Sequence, residues 1–509
     1  MDVSVNRKLV DEEWEAAIPS LQEFVRIPNL TVALDSEWAT NGLLDKAVDH
    51  MVEWVKAQKV LGCTVQKFKD DGFSPFMLVE VAATPRSSKA DTTFLMYGHL
   101  DKMPHGPGWD EDIEPTSGLR RGDRIYGRGA GDDGYGVYAS LIAVKVLQRQ
   151  GIEHPRVVII AETAEESGSP HLGHYVEKLQ QKIGKPTAVF CLDATCEDWS
   201  TMWLTTSLRG ICMGTLEVGV LKTGLHSGFG GGIVPDAFRV ATMLIARVEE
   251  PETGQIKLAE LRTKVPVERQ AQGRALASRL PTPHINRGFA WRDGTRPQHE
   301  GDPYAMYMAN TWEPSLTVTG FDGLPPPEKG GNVLNPSVTL KLSIRLPPLV
   351  DEVNAKKALK DVFERDPPYG AYVKANFNQA AAGWNCAEFS PEMEEALQKA
   401  CMANFDGKEM AHSGMGGTIP LLDMLSKMFP EASLVVTGVL GPGTNMHAPN
   451  EYLPIEYTKK LTAAISMTMG TLKTRPPECG LWIPPAKRMR PTYCFNYPQV
   501  PLGQCLCCL

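Results

Sequence analysis

The sequence lacks an excess of basic residues, a long hydrophobic run and a regular cysteine framework. Its 509 residues include 52 Lys and Arg against 60 Asp and Glu, for a net charge of -8, so it offers no dominant basic face for nucleic acid. No run approaches the roughly eighteen apolar residues of a membrane span, and residues 1–29 mix charges with apolar side chains, unlike a secretory signal. We therefore expect a cytoplasmic protein without nucleic-acid or membrane partners.

The cysteines follow no disulfide pattern. There are eleven, an odd number, and those of the main body are widely scattered, which we interpret as reduced thiols. The last stretch, residues 473–509, is rich in Pro and Cys and shows no apolar periodicity, so we predict a loosely ordered tail.

Four short apolar runs indicate the core of the chain. They lie at 93–97, 156–161, 188–192 and 434–439, and continuous apolar runs of this length are typical of strands buried on both faces. A helical pattern covers 135–150. Strands that alternate with helices predict an α/β fold with a mainly parallel sheet.

The middle of the chain has a different hydrophobic pattern. Segments 211–218 and 338–346 alternate in polarity, and helices are expected near 235–248 and 353–365, which predicts a smaller inserted α+β domain. At roughly 150 residues per domain, a chain of this length is expected to hold about three such units. The predicted division is a catalytic domain in two parts, 1–205 and 376–472, an insert at 206–375 and a tail at 473–509.

Each predicted strand of the first domain ends in metal-ligand residue types. Ligands of open α/β sheets bind outside the carboxyl ends of the strands, where loops converge. Histidines and carboxylates together suit two divalent ions about 3.5–4 Å apart. The candidate ligands are His99, Asp132, Glu165, Glu166, Asp193 and His447.

Single residues of this set have simpler explanations. Asp132 and Asp133 precede the predicted helix and would serve as its caps. The convergence of four strand ends on one ligand chemistry favours the metal site instead. Asp101 is placed to hold the second ring nitrogen of the preceding histidine. Of Glu165 and Glu166, one should bind metal while the other moves a proton; the residues alone do not distinguish them.

Three rival classes find less support. Residues 129–134 match G-x-G-x-x-G, but two aspartates would face the pyrophosphate of a dinucleotide there. Residues 224–228 carry histidine where a nucleophile elbow needs serine. A metal-binding scaffold without catalysis would lack the general base, and nothing in the sequence indicates such a loss.

These motifs, in this order, resemble the zinc-dependent exopeptidase family of cytosolic nonspecific dipeptidase, carnosinase and related amino-acid deacylases, over about residues 8–472. The resemblance implies two divalent ions, Zn or Mn. His99 and Asp193 would hold one ion, Glu166 and His447 the other, and Asp132 would bridge them. The aspartate at position 193 resembles the dipeptidase branch of that family, which has aspartate at this ligand position.

The resemblance also implies roles around the metals. Glu165 would be the general base, and Asp101 would orient the first histidine. The insert looks like a lid that forms a homodimer, from which His226 would reach the partner's site and stabilise the oxyanion. Arg345 would grip the substrate carboxylate, although without the family a loop hydrogen bond for His226 and a surface ion pair for Arg345 are the simpler interpretations.

The chain departs from close dipeptidase relatives in two places. Residues 413–420 replace an Arg-Glu-Gly-Gly-Ser-like turn and keep its glycines and, at Thr418, its hydroxyl, but neither charge. We place Thr418 with Arg345 in the substrate-binding set. Gly134 and Tyr135 stand where a lysine often follows the paired aspartates. The expected function is a di-metal dipeptidase; the alternative is a metal-dependent deacylase or carboxypeptidase acting on N-acylated amino acids.

Overall fold

The structure, a computed structural model, describes residues 1–85, 87, 89–280, 289 and 291–472. The predicted tail lies outside these residues. Among the described helices, none combines the length and the apolar character needed to cross a bilayer.

The helices are α1 Val3–Val25, α2 Leu43–Ala57, α3 Tyr135–Arg149, α4 Leu172–Lys178, α5 Gln180–Ile183, α6 Ser227–Gly230, α7 Ala237–Val248, α8 Val267–Arg279, α9 Pro303–Thr311, α10 Glu352–Glu364, α11 Pro391–Asn404, α12 Pro420–Met428 and α13 Ile455–Thr471.

The strands are β1 Cys63–Phe68, β2 Phe76–Val81, β3 Thr93–His99, β4 Leu119–Arg121, β5 Arg124–Tyr126, β6 Arg156–Glu162, β7 Ala188–Cys191, β8 Trp203–Leu208, β9 Gly210–Gly219, β10 Leu225–His226, β11 Ser315–Asp322, β12 Val333–Leu334, β13 Ser337–Leu346, β14 Tyr372–Ala381, β15 Trp384–Asn385, β16 Ala411–Met415, β17 Ser433–Val436 and β18 Tyr452–Pro454.

The four predicted apolar strands lie side by side in one six-stranded sheet. Its order is β1-β2-β6-β3-β7-β17. The pairs from β6 through β3 and β7 to β17 are parallel, whereas β1 and β2 continue the sheet antiparallel at one edge. The prediction of an α/β fold with a mainly parallel sheet is confirmed.

Helices cover both faces of this sheet, which explains the continuous apolar runs. Every residue of β3 is buried. Phe94 and Met96 point into a core shared with α1, α3 and α13. Leu95 and Tyr97 point into a second core with α4 and α12 on the opposite face. A strand between two helical layers has no solvent side, so its sequence does not alternate.

The parallel strands also bring their carboxyl ends to one edge of the sheet. The chain after β17 crosses the end of β7 so closely that a Cβ at Gly438 would overlap the carbonyl oxygen of Ala194. Only glycine permits this approach. The crossing lies beside Asp193, so the loops after two neighbouring strands meet where candidate ligands were expected.

A second sheet is built from the middle of the chain. Its order is β11-β13-β9-β14, and all three pairings are antiparallel. Burial alternates along β9 and β13, because α7 and α10 cover only one face. This matches the predicted α+β character of the insert. Its boundaries remain a prediction, since the described residues cluster as one compact unit and β14 runs past the expected limit at 375.

Candidate metal centre

The loops at the carboxyl edge of the six-stranded sheet bring the predicted ligands together. His99 ends β3, and Asp193 follows β7. The glutamates lie in a short 3-10 turn after β6. We call the following six residues the metal-site cluster: His99, Asp132, Glu165, Glu166, Asp193 and His447.

Asp132 lies between the two histidines of the cluster. Its Oδ1 is 3.1 Å from His99 Nε2, and its Oδ2 is 3.0 Å from His447 Nε2. On the outer sides, His99 Nε2 lies 3.8 Å from Asp193 Oδ2 and His447 Nε2 lies 2.9 Å from Glu166 Oε2. Each oxygen of Asp132 thus faces a different imidazole, and each imidazole faces a different outer carboxylate, as expected around a bridging ligand.

The donor atoms fit divalent cations. Two groups offer ligand atoms within 4.8 Å of one another, His99 with Asp132 and Glu166, and His99 with Glu165 and Asp193. Among the described residues, the buried Oδ2 of Asp132 has no aligned hydrogen-bond donor, although His447 Nε2 lies 3.0 Å away as an ion-pair partner. A cation at this position would satisfy the carboxylate oxygen and the ring nitrogen together.

The carboxyl groups of the cluster repel one another. Burial and the charge of Asp132 raise the pKa of Asp193 to about 7, and the same two causes raise the pKa of Glu166. Burial and the charge of Asp193 hold the pKa of Glu165 well above its usual value. Burial also acts to raise the pKa of Asp132, but the imidazoles of His447 and His99 outweigh it and lower that pKa. The pocket therefore favours positive charge.

The histidines respond in the opposite sense. Burial acts to lower the pKa of His447, but the carboxylates of Asp132 and Glu166 outweigh burial and raise that pKa to about 10. For His99 burial is likewise outweighed, by Asp101 and Asp132, so its pKa also lies well above the usual value. In the absence of metal, protons on these rings compensate the carboxylates.

Asp101 holds two parts of the site at once. The His99 ring places Nδ1 3.1 Å from the main-chain oxygen of Asp101 and 3.4 Å from its carboxylate. An Nδ1–H donated to that oxygen leaves Nε2 free to face the cluster. The Asp101 carboxylate accepts the backbone N–H groups of Glu165 and Glu166, each at 3.1 Å. The contact to the ring through the carbonyl was not foreseen from sequence.

The paired aspartates do not cap the following helix. The residue before α3 is Gly134, and no side chain caps that helix end. Asp133 is buried and its Oδ2 accepts the backbone N–H of His99 at 3.3 Å. The capping interpretation of Asp132 and Asp133 is therefore wrong, because both carboxylates turn toward the end of β3.

The two predicted substrate-binding residues are in contact. Arg345 Nη1 donates to Thr418 Oγ1 at 3.0 Å, and that hydroxyl donates to the main-chain oxygen of Arg209 at 2.6 Å. Arg345 is half-buried, and burial lowers its pKa. No acidic residue forms an ion pair with it among the described residues, so the surface ion pair is not observed.

His226 stands apart from the metal-site cluster in the single chain. Its Nδ1 accepts the backbone N–H of Gly228 at 3.0 Å, and its ring lies 5.3 Å from that of Phe229. It is exposed, and within the described residues it forms no hydrogen bond or ion pair with the cluster.

Sequence reasoning missed a buried charged pair beside the cluster. Glu451 and Arg128 are both buried, and Arg128 Nη1 lies 2.6 Å from Glu451 Oε2. The available signal was their position, since each lies four residues from a candidate ligand, Asp132 or His447. Burial of a charged loop residue cannot be read from hydrophobic periodicity, which reports only apolar positions.

Comparisons with known proteins find a matching family and similar structures. Peptidase family M20/M25/M40 matches residues 95–471. A cysteinylglycine-S-conjugate dipeptidase of Corynebacterium striatum is 26% identical over 386 residues, which cover 74% of this chain and 81% of that protein. Human carnosine dipeptidase 1 has a TM-score of 0.69 at 21% identity, covering 92% of this chain and 99% of that one. A metallo-carboxypeptidase of Sulfolobus solfataricus has a TM-score of 0.68 at 21% identity, covering 89% and 98%.

We predict that the metal-free protein loses stability as the pH rises and that divalent metal restores it. The pKa of Asp193 rises on folding from 3.8 to about 7 and that of His447 from 6.5 to about 10, so the folded state holds more protons than the unfolded state across these intervals. Stability is therefore present at low pH and is lost as the pH passes upward through 7 and 10.

The measurement is the melting temperature of chelator-treated protein at pH 5, 7 and 9, before and after addition of Zn²⁺ or Mn²⁺. We expect the gain on adding metal to be larger at pH 7 than at pH 5, because protons compete for the ligands. Asp193→Asn should flatten the lower part of the pH dependence. An equal gain at pH 5 and pH 7 would contradict the assignment.

Proposed function

The chain belongs to peptidase family M20/M25/M40, and from that premise we propose that it is a metal-dependent dipeptidase that hydrolyses the amide bond of short peptides. The observation that carries the proposal is Asp132, whose two oxygens each face a different histidine of the cluster. This arrangement suits two cations sharing one carboxylate. The cysteinylglycine-S-conjugate dipeptidase relative supports dipeptides as the substrate class.

In this proposal the cluster divides into two sets of ligands. His99 and Asp193 hold one ion, Glu166 and His447 hold the other, and Asp132 bridges them. The donor set of imidazole and carboxylate suits either Zn²⁺ or Mn²⁺. When bound, such ions polarise the scissile carbonyl and make a coordinated water acidic near neutral pH.

Glu165 is the proposed general base. A carboxylate oxygen of Glu165 lies within 4.8 Å of ligand atoms of His99 and Asp193. The backbone N–H of Glu165 donates to the Asp101 carboxylate, which holds the residue in place. Burial and Asp193 raise the pKa of its carboxyl group, so it can take a proton from water and retain it for the leaving amine. Asp101 positions both this turn and the His99 ring.

Substrate recognition is assigned to Arg345 and Thr418. A guanidinium that is half-buried and without an acidic partner among the described residues is suited to the carboxylate of a peptide. The turn around Thr418 carries no charged side chain, so it offers the amino group of the substrate no ion pair.

The first prediction of this proposal concerns substrate class. Metal-stripped protein, restored with Zn²⁺ or Mn²⁺ in turn, should cleave free dipeptides with a kcat/KM at least about tenfold above that for N-acetylated amino acids. Fold does not separate these activities, because a dipeptidase and a carboxypeptidase have nearly the same structural similarity to this chain. Faster cleavage of the N-acetylated substrates would establish the deacylase or carboxypeptidase alternative.

The second prediction separates the two neighbouring glutamates. Glu165→Gln should lower kcat by about 10²–10⁴-fold while the metal content stays at the wild-type level, because only proton transfer is removed. Glu166→Gln should lose metal, because this residue contacts His447.

Metal analysis and steady-state kinetics on the same preparations provide the measurement. Glu162→Gln is the matched control, since Glu162 is also buried in this segment and its Oε1 accepts hydrogen bonds from Tyr97 and Ser169. Loss of metal in Glu165→Gln would show that the roles of the two glutamates are exchanged.

We further propose that the protein is a homodimer whose insert supplies His226 to the partner's site. Two large apolar side chains in the segment after His226 face solvent in the single chain: Phe229, whose ring lies 5.3 Å from that of His226, is 80% exposed, and Ile233 is 82% exposed. Side chains of this size are seldom left so accessible in a group, and a second copy of the chain would cover them. His226 forms no hydrogen bond or ion pair with its own cluster among the described residues, which supports action in trans.

Mixing two inactive variants tests this arrangement. His226→Ala retains Glu165, and Glu165→Gln retains His226, so a mixed dimer contains one complete site. Coexpression should recover about one quarter of wild-type activity, because half of the dimers are mixed and one of their two sites is complete. Phe229→Asp with Ile233→Asp should give an inactive monomer that still binds metal. Mixed dimers without recovered activity would exclude a trans role.

The cytosol is the proposed compartment. The six cysteines among the described residues are all free thiols, and five of them are buried. A secreted protein of this size more often contains disulfides.

A further inference from the structure

A buried carboxylate joins the loop of one candidate ligand to the loop of another. Glu451 lies four residues after His447 and is fully buried. Its Oε1 faces three backbone N–H groups of the segment that delivers Asp132: those of Gly129 at 2.9 Å, Gly131 at 3.4 Å and Asp132 itself at 3.3 Å. The carboxylate therefore holds the main chain just before and at the bridging ligand.

Arg128 completes the connection from the other side. Its Nη1 donates to Glu451 Oε2 at 2.6 Å, and its Nη2 donates to the main-chain oxygens of Ala448 at 3.3 Å and His105 at 3.4 Å. The main-chain oxygen of Glu451 accepts the N–H of Gly127 at 2.9 Å. Apart from the bond to His105, residues 127–132 thus donate every one of these bonds to acceptors in residues 448–451, through both the side chain and the main chain of Glu451.

His447 needs such an anchor more than the other ligands do. Its side chain is 44% exposed, whereas that of His99 is fully buried. Its φ of 60° lies in the left-handed region, which a non-glycine residue occupies only when the surrounding structure holds it there. Arg128 reaches the next residue along the chain from His447, because its Nη2 donates to the main-chain oxygen of Ala448 at 3.3 Å.

A purely stabilising role explains this arrangement poorly. A buried ion pair contributes little net stability, because desolvation cancels much of the attraction, and apolar residues of the same volume would serve as well. Apolar residues could not, however, accept three N–H groups that point at one atom. The role that requires a carboxylate at Glu451 is the acceptance of backbone N–H groups from the segment that contains the metal ligand Asp132.

We propose that Glu451 and Arg128 are positioning residues that hold the bridging carboxylate Asp132 and the imidazole of His447 in register for the same metal ion. The inference rests on the proposed function, since it takes Asp132 as the bridging ligand. Its consequence is selective: the ion held by Glu166 and His447 depends on this connection, whereas the ion at His99 and Asp193 depends on it less. Residues that orient ligands commonly change metal affinity by about 10–100-fold.

The test measures metal affinity and ligand geometry in Glu451→Gln, which keeps the shape of the side chain and removes its charge. Zn²⁺ titration against a competing chelator should show the affinity of one of the two binding steps reduced by about 10–100-fold, with the other step changed much less. The visible absorption of the Co²⁺-substituted protein should change for the equivalent of metal that fills the weakened site.

Two further variants keep the result interpretable. Arg128→Lys keeps the charge but cannot reach both Glu451 and Ala448, so it should weaken the same binding step. It provides the test if Glu451→Gln fails to fold. Glu13→Gln is the matched control, because Glu13 is 8% exposed and forms ion pairs with Lys145 at 2.6 Å and Arg149 at 2.9 Å, outside the metal-site cluster. It should leave both binding steps and the Co²⁺ spectrum unchanged.

The outcomes separate this inference from the proposed function. Wild-type protein that fails to bind two ions contradicts both. Wild-type protein that binds two ions, with unchanged affinities and Co²⁺ spectra in both Glu451→Gln and Arg128→Lys, contradicts the positioning role alone. Equal loss in Glu13→Gln would show a general effect of removing a buried charge and would also overturn it.

Discussion

The candidate site depends on the attraction between buried carboxylates and the positive charge placed among them. Four acidic side chains come together at one end of the sheet, and their pKa values show the strain of that crowding: that of Asp193 rises to about 7. In the single chain the two imidazoles supply the compensating charge, one on each side of Asp132. Repulsion of this kind is unfavourable in the single chain, and divalent metal bound among these carboxylates would offset it.

The fold serves this arrangement through parallel strands. Three successive parallel pairs bring the ends of β6, β3, β7 and β17 to one edge, so short loops suffice to collect ligands from distant parts of the sequence. Main-chain groups are then held by side chains next to the ligands. Asp101 binds the turn with the two glutamates, and Glu451 binds the segment that ends in Asp132. Both carboxylates act on backbone N–H groups, which limits the movement of the ligands without occupying their metal-facing atoms.

The insert contributes another level of organisation. Its sheet presents one face to α7 and α10, while His226 and the neighbouring Phe229 remain accessible in the single chain. Arg345 extends from this sheet to Thr418, which belongs to the segment after β16. A polar link between the insert and that segment places the proposed recognition of the substrate's carboxylate at a junction between two sheets.

The sequence by itself determined the sheet and the ligand types. Buried strands at both faces must be apolar throughout, so the four runs and the polar residues at their ends were visible without coordinates. Only the tertiary structure decided which partners these residues have. Three contacts join residues that are far apart in the chain: Asp133 with the backbone of His99, Asp101 with the backbone of Glu165, and Glu451 with Arg128. Periodicity reports whether a position faces solvent along one element, whereas such contacts arise from the packing of several elements, which no local pattern encodes.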